Sequence, residues 1–218
     1  MPLLGPAALL LSFDVEAAAI DEHDQWHTQE HLPERLSIPG FLRGTRWTII
    51  DGAPRYMVLY EVESLETLSS AAYLDRLNNP SPWTQKMMPH YRGMSRGLCR
   101  VIGSVGAGLG GFAALVRFAD AEGWLPETAL ETVPQMAGLG SAHLLQAAQG
   151  ATMTNEQRIR GADHGMGCAA IVMGYEEAAV SSQARSLRAE LGSKGATQLS
   201  SATYQLAYSL ENGQAPRR

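Results

Sequence analysis

The sequence predicts an α+β fold in which two tandem βαββαβ units, residues 1–105 and 106–218, pack their antiparallel sheets into one barrel. Three observations lead to this prediction. The order strand, helix, strand, strand, helix, strand is indicated twice along the 218 residues. A worn copy of the segment around Trp26 recurs around Trp124. Each unit alone would also leave one face of its sheet uncovered, and packing the two sheets together buries both faces.

The elements of the first unit follow from apolar runs and the residues that interrupt them. Pro39 and Gly40 end a helical pattern, and Asp-Gly-Ala-Pro at 51–54 separates two runs rich in β-branched and aromatic residues, which is typical of a hairpin. Ser64 is a typical helix N-cap because Glu66 falls in the first turn after it. The predicted elements are a strand at 8–15, a helix at 21–37, strands at 41–50 and 55–63, a helix at 64–77 and a strand at 95–105.

The second unit repeats this order after a glycine-rich joint at 103–111. The joint is predicted to be a linker rather than a phosphate-binding loop, because no Lys-Ser/Thr pair follows it and the next element is a strand. A polar insertion at 151–167 is either an exposed excursion between strands or a lid over the site. The predicted elements are a strand at 112–118, a helix at 125–136, strands at 141–149 and 168–175, a helix at 176–191 and a strand at 198–210.

Composition limits the partners and the location of the protein. A net charge of −5 and a pI near 5.7 predict no basic surface for nucleic acid or an anionic membrane. The charged fraction of 18% lies below the roughly 25% of an average chain, which leaves a homodimer open. Cys99 and Cys168 have no metal-ligand spacing, so we predict two reduced thiols in a cytoplasmic protein. The apolar start at 1–11 has no Lys or Arg and is predicted to lead into a strand, not to form a signal peptide or a membrane span.

Two motifs give the chain a family resemblance. They are Glu-His-Leu-Pro-Glu-Arg-Leu-Ser-Ile-Pro-Gly-Phe at 30–41 and Asn-Pro-Ser-Pro-Trp-Thr at 79–84. Together with the twofold βαββαβ order, they resemble the dimeric α+β barrel superfamily, in particular its EthD-like branch. The resemblance implies two ferredoxin-like units that form one barrel, with ligands held between sheet and helices. Members include cofactor-free monooxygenases, lactone isomerases, aromatic cyclases and haem-dependent dismutases and dehydratases, so the fold alone does not decide the chemistry.

The first helix carries the candidate catalytic residues. His23, His27 and His31 are spaced four residues apart and share one helix face. Because an imidazole can take and return a proton near neutral pH, we expect His31 to be the acid/base, with His27 as a second relay and Glu30 setting the tautomer or raising the pKa. The resemblance supports His31 and Glu30, which fall in the first motif. An alternative stays open in which the apolar side of the helix, with Trp26, packs on the sheet and the histidines face solvent.

Five further residues are candidates for substrate binding. Arg35 could hold a carboxylate or enolate oxygen, although an ordinary ion pair with an acid on the same helix is the alternative. Trp47 and Tyr60 lie on strands and face either the cleft or the core. Trp83 and Met87 follow a double-proline turn, where they either line an apolar pocket or plug the end of the barrel.

The second unit lacks these ionisable groups, so we expect one site per chain, in the first unit. The ungapped alignment places His27 on Leu125, Glu30 on Thr128, His31 on Ala129, Glu34 on Thr132 and Arg35 on Val133. None of the five residues in the second unit can transfer a proton near neutral pH or hold a charge. The second unit is then a scaffold that supplies a wall.

No metal and no cofactor is predicted. The spacing of His27 and His31 matches two zinc ligands on a helix, but Thr28 stands where the zinc-protease pattern has Glu. Haem stays open as a lesser alternative, because His90 or His164 could supply an axial imidazole in a large apolar pocket.

The sequence therefore predicts an enzyme that acts on a small apolar carbonyl or phenolic molecule by histidine-based proton transfer. A lyase, isomerase, cyclase or cofactor-free monooxygenase would all start from the same deprotonation. A non-catalytic ligand-binding or assembly protein is the contrasting hypothesis. The two are distinguished by whether His31 faces a closed cavity or water.

Overall fold

The computed structural model describes residues 3–119, 130–148 and 153–214. In this part of the chain, eight antiparallel strands close into a barrel, and a short ninth strand pairs in parallel with one of them. The strands are β1 (Ala7–Val15), β2 (Phe41–Asp51), β3 (Tyr56–Val62), β4 (Tyr91–Gly106), β5 (Phe112–Ala119), β6 (Leu139–Ala147), β7 (His164–Gly165), β8 (Cys168–Gly174) and β9 (Thr197–Glu211).

Helices cover the outside of this barrel. The helices are α1 (Ile20–Trp26), α2 (Leu32–Leu36), α3 (Ala71–Asn78), α4 (Pro82–Met87), α5 (Asn155–Arg160) and α6 (Glu177–Ser193). A π-helical turn, His27–His31, joins α1 to α2. Shorter 3-10 turns lie at Ala17–Ala19, Leu65–Ser69, Met88–His90, Val133–Gln135 and Asn212–Gln214. No helix among the described residues is long and apolar enough to cross a membrane.

Each half of the chain contributes four adjacent strands. The first half has the order β4-β1-β3-β2, and the second has the order β9-β5-β8-β6. The two sets join edge to edge, through β2 with β9 and β4 with β6, so no barrel strand is left with an unpaired side. The single barrel predicted from the sequence is confirmed.

Alternation along the strands divides the core into three layers. On β3, Met57 and Leu59 point into the barrel, whereas Val58 and Tyr60 point to the helices. The barrel interior is filled by apolar side chains from both halves. A second apolar layer lies under α1 to α4, and a third lies under α6. Buried Trp26 and Leu32 place the first helical segment, with its histidines, in the second of these layers.

The second predicted helix differs from the structure in its start and its continuity. Ser64 makes no capping bond, and residues Leu65–Ser69 form a 3-10 turn instead. The cap is supplied by Ser70, whose hydroxyl accepts from the Tyr73 amide and begins α3. Ser81 caps α4 in the same way. The sequence pattern missed these two later caps because Ser64 with Glu66 already satisfied the N-cap rule.

The helix predicted at 125–136 lies mostly outside the described residues. Its described end is a helical turn at 130–131 followed by the 3-10 turn Val133–Gln135. Three of the aligned positions, Leu125, Thr128 and Ala129, also lie outside the described residues. The hairpin around 51–54, the strand at 8–15 and the helix in the closing half are close to their predicted bounds.

Candidate active site

A cleft lies between the outer face of the first-half strands and three helices. It has about 350 Å³ of space between its atoms, part of it open to solvent. Its floor consists of Leu9, Leu11, Tyr60 and Arg96. Its walls include His31, Arg35, Tyr73, Glu156, Gln157 and Arg160. We call it the His31 cleft.

A wide helical turn places His31 at this cleft. The Leu32 amide donates to the His27 carbonyl five residues back, so the helix is expanded by one residue here. Pro33 follows directly, and its missing N–H leaves the ordinary helical bond unmade at this point. Gly44 lets α2 lie close to β2, because a β-carbon there would lie 3.0 Å from both Leu36 and Tyr60. Such π turns occur frequently at functional sites.

The three histidines face the sheet, so the interpretation of a solvent-facing row is wrong. His23, His27 and His31 are 0%, 1% and 6% exposed, and their ring centroids are 5.6 and 5.5 Å apart in sequence order. Trp26 lies on the same side, 4.4 Å from the His31 ring, rather than opposite to it. The helix lies on an aromatic surface that includes Tyr56, whose ring is 4.7 Å from His23. The histidine side of the helix thus contacts aromatic strand residues instead of solvent.

The surroundings keep His31 and His27 neutral. Burial lowers the pKa of His31 well below its usual value, and the nearby Arg35 guanidinium lowers it further. Burial also lowers the pKa of His27 well below its usual value, and the His23 ring beside it adds to the effect. A neutral imidazole at neutral pH can accept a proton. His31 lines the cleft, whereas His27 lies behind it.

His23 has a structural environment. Its Nδ1 lies 3.2 Å from Asp24 Oδ1, and its Nε2 lies 3.2 Å from the Tyr91 hydroxyl. Burial lowers the pKa of His23 in spite of the Asp24 contact, which raises it. With both ring nitrogens bonded and no exposed surface, His23 anchors α1 to β4.

Arg35 makes the ion pair expected on its own helix and a second one from the other half of the chain. Its guanidinium lies 3.2 Å from Glu34 Oε2 and 2.5 Å from Glu156 Oε1 on α5. Burial is the largest single influence and lowers the pKa of the Arg35 guanidinium, but Glu156, Tyr73, Glu34 and Tyr60 together raise it above its usual value. Burial raises the pKa of Glu34. Arg35 is therefore a fixed, buried cation at the cleft wall.

Several buried polar atoms in this region have no hydrogen-bond partner within the described residues. They are Trp26 Nε1, His27 Nδ1, His31 Nδ1 and Tyr60 Oη. Burial also raises the pKa of Tyr60, which stays a neutral hydroxyl donor. Buried polar groups without partners are rare in native proteins and concentrate where ligands or ordered water bind. The His31 cleft brings together such groups from α2 and β3.

The polar insertion covers the cleft instead of standing free in solvent. Thr154 and Gln157 form a capping box that begins α5, and Glu156 is 2% exposed. Arg160 holds the following loop through two contacts of 2.7 Å and one of 3.0 Å to Asp163. Of the two interpretations of the insertion, its described residues fit the lid. The lid contributes Thr154, Glu156, Gln157 and Arg160 to a cleft whose other described lining residues come from the first half.

Besides His27, four of the predicted site residues do not reach the described lining of the cleft. Glu30 accepts a 2.5 Å bond from Ser81 Oγ and so holds the start of α4. Trp47 points into the barrel, where its Nε1 donates to Thr45 Oγ1 at 2.8 Å. The other two belong to the layer under the helices: Trp83, which donates to Glu22 Oε1, and buried Met87. Strand alternation explains Trp47, because it falls on the inward-facing set of β2.

The cleft does not fit haem, and the proposed metal ligands are not brought together. His90 is bonded to Glu16 at the surface, and His164 is exposed on β7. Neither lines the cleft, whose walls carry charged groups such as Arg35 and Glu156 instead of a large apolar surface. Glu30 faces Ser81, away from His27 and His31. In residues 3–119, 130–148 and 153–214, no three His, Cys, Asp or Glu side chains converge as metal ligands.

Sequence reasoning missed most of the cleft lining, including the charged and aromatic residues Tyr73, Arg96, Glu156 and Arg160. Arg160 was noted only as part of a polar insertion. No local pattern links α3, β4 and α5 to α2, because the Arg35 contact with Glu156 spans 121 positions. The polarity of the insertion was the available signal, because an acidic residue within it was a candidate partner for Arg35.

No family model matches the chain, and no curated protein matches it by sequence. Solved structures do match it over nearly the whole length. An anthrone oxidase-like protein is 10% identical with a TM-score of 0.68, covering 99% of this chain and 98% of that one. A putative monooxygenase from Fusobacterium nucleatum is 9% identical with a TM-score of 0.58, covering 96% of each chain. A chlorite dismutase from Candidatus Nitrospira defluvii is 12% identical with a TM-score of 0.55, covering 93% and 90%. The chain thus has the α+β barrel fold of these proteins.

Proposed function

We propose that this protein is a small-molecule enzyme in which neutral His31 removes a proton from a carbonyl- or phenol-bearing substrate. The observation that carries the proposal is the burial of His31 at the wall of a cleft, with a lowered pKa and an unpartnered Nδ1. A histidine kept only for packing would have its nitrogens bonded, as in His23. His31 instead has capacity to bind a ligand.

The residues around His31 can stabilise the negative charge that the first step creates on the substrate. When a proton passes from an acidic C–H or O–H to the imidazole, the substrate becomes an enolate or phenolate and His31 becomes a cation. The negative oxygen would be stabilised by the Arg35 guanidinium and the Tyr60 hydroxyl, both at the cleft. His27, with its ring centroid 5.5 Å from that of His31, is a positioning residue in this scheme.

Several reactions can follow the same deprotonation. Return of the proton to another carbon gives an isomerisation. Attack of the enolate carbon on a second carbonyl of the same molecule, whose oxygen takes up the proton, gives a cyclisation. Departure of a leaving group from the adjacent carbon, with formation of a double bond, gives a lyase reaction. Attack of dioxygen on the enolate converts a CH₂ group and O₂ into a carbonyl and water, which is a cofactor-free monooxygenation. We place monooxygenation first because similar structures are described as anthrone oxidase-like and putative monooxygenase.

The proposal includes the finer classification of the chain. We infer an EthD-like protein with two ferredoxin-like units, residues 1–105 and 106–218, supported by the same relative strand order in each half. We further propose that it acts in the cytoplasm on a small, mainly apolar or aromatic substrate, without a resident cofactor. A ligand-binding protein without turnover is the contrasting outcome of the test below.

The test measures proton abstraction directly, whatever reaction follows. Anthrone and a panel of simple ketones and phenols are incubated with the protein in D₂O, and exchange of their acidic C–H is followed by NMR, with oxygen consumption measured in parallel. The His31→Gln variant should lose about 10²- to 10⁴-fold of the rate, which is the usual contribution of a general base. Glu30→Gln is the matched control, and it should stay within a few-fold of wild type because Glu30 contacts Ser81. Equal exchange by wild type and His31→Gln would leave only a binding role.

A further inference from the structure

Arg96 differs from the other cations of the His31 cleft in its partners. Arg35 is paired with Glu34 and Glu156, and Arg160 is paired with Asp163. Arg96 makes no ion pair with an acid in the described part of the chain, and its terminal nitrogen has only a long 3.4 Å contact with the Tyr73 hydroxyl. Its side chain is half-buried at the cleft. A half-buried guanidinium without an acid retains most of its capacity to bind an anion.

The floor of the cleft separates Arg96 from the proposed reaction centre by an apolar strip. Arg96 on β4 is paired in register with Leu11 on β1, and Leu9 on β1 is paired with Tyr60 on β3. Tyr60 and Arg96 thus flank Leu9 and Leu11, two strand spacings across the sheet and two residues along it, or about 12 Å between their backbones. A flat apolar molecule that enters the cleft would lie on the two leucines, with one polar end at His31 and Tyr60 and the other at Arg96.

We propose that the substrate is an aromatic acid, with a hydroxyl or carbonyl group at His31 and a carboxylate held by Arg96. This inference rests on the proposed function for the position of the reacting group. The planar guanidinium can bind both carboxylate oxygens, and partial exclusion of water strengthens the contact. Glu156 remains on Arg35, so the bound acid needs no exchange of the buried ion pair. Arg96 is then a specificity-determining residue.

The experiment compares an acid with its neutral counterpart. Wild type is titrated with 6-hydroxy-2-naphthoate and with 6-hydroxy-2-naphthamide, whose two polar groups lie at opposite ends of the ring system, and binding is followed by ligand fluorescence. Wild type should bind the acid roughly tenfold or more tightly than the amide, as expected for one charge-assisted bidentate contact. In Arg96→Gln the preference should disappear while the affinity for the amide stays. Arg96→Lys should keep part of the preference, because the charge remains without the fork geometry.

Arg100→Gln is the matched control, since Arg100 is exposed on the same strand and lies outside the described cleft lining. It should bind both probes like wild type. Circular dichroism checks that every variant is folded. Equal affinity of wild type for the two probes, retention of the preference in Arg96→Gln, or no binding of either probe would overturn the inference.

The binding readout separates this inference from the proposed function. His31→Gln should still prefer the acid, because the carboxylate contact is remote from residue 31. If the preference is absent while His31-dependent exchange occurs, only the aromatic-acid inference fails. If the preference is present and exchange does not depend on His31, the cleft binds an acid and the proposed catalysis fails.

Discussion

The two halves of the barrel carry different helical layers on the same strand order. Over β1 to β4, the helices bury imidazoles and an ion pair around a cleft. Over the second-half strands, α6 buries the apolar side chains Val180, Ala184, Leu187 and Leu191. The four-residue spacing that presents His23, His27 and His31 in one layer presents aliphatic groups in the other.

This difference shows where the chemistry of the fold is determined. The strands supply equivalent apolar surfaces on both sides, so the polarity of the residues that face them decides which side forms a site. The layer under α1 to α4 contains unpartnered polar atoms and gains a binding site, whereas the layer under α6 consists of packed hydrocarbon. Three perturbations test this contrast, in order of expected effect.

Leu187→Ala should cause the largest loss of stability. Leu187 is 2% exposed under α6, and removing a buried leucine side chain costs about 2–5 kcal/mol. The His31-dependent exchange rate of the folded variant should be unchanged, because the layer under α6 does not touch the cleft in the described structure. Urea unfolding and the exchange assay measure the two effects. Arg188→Ala, at an exposed neighbouring position, should change stability by less than about 0.5 kcal/mol. A large loss of exchange in folded Leu187→Ala would show that the layers are not independent.

Glu156→Ala should cause an intermediate loss of stability, located between α5 and α2. It removes the 2.5 Å contact to Arg35 but leaves Glu34 as a partner. The expected cost is about 1–3 kcal/mol, below the roughly 3–5 kcal/mol for a buried charge left entirely unpaired. Substrate binding should also weaken, since α5 would be held less firmly over the cleft. Glu156→Gln should lose less, because the shape and one acceptor remain. Unchanged unfolding of Glu156→Ala would mean that α5 is not coupled to α2.

Lowering the pH should destabilise the protein through the buried histidines under α1 and α2. The folded-state pKa values of His23, His27 and His31 are lowered mainly by burial, so the unfolded chain binds more protons below the usual pKa of about 6.5. Stability is therefore complete above about pH 6.5 and falls as the pH decreases below it. His31→Gln should reduce this slope by up to about 1.4 kcal/mol per pH unit, measured by urea unfolding between about pH 7 and pH 5. An unaltered slope would contradict the burial of a neutral His31.

The sequence was sufficient for elements that depend on local pattern. Short apolar runs and segments rich in β-branched and aromatic residues predicted the strands, and Pro39 with Gly40 ended the first helix where the structure ends it. The direction of the histidine row was not predictable locally, because Trp26 and the imidazoles both fit a buried face. Arg96 and Glu156 were missed since their roles depend on contacts between distant segments, which no spacing within one element encodes.

The lid also bears on symmetry. In a pair of identical chains related by a twofold axis, every insertion occurs twice, and both clefts are covered or neither is. Here α5 belongs to the second half and covers the cleft of the first. Two unlike halves in one polypeptide free the molecule from that constraint. One half can hold a ligand while the other half covers it. A mutation in the lid therefore alters one cleft and has no symmetry-related counterpart in the same chain.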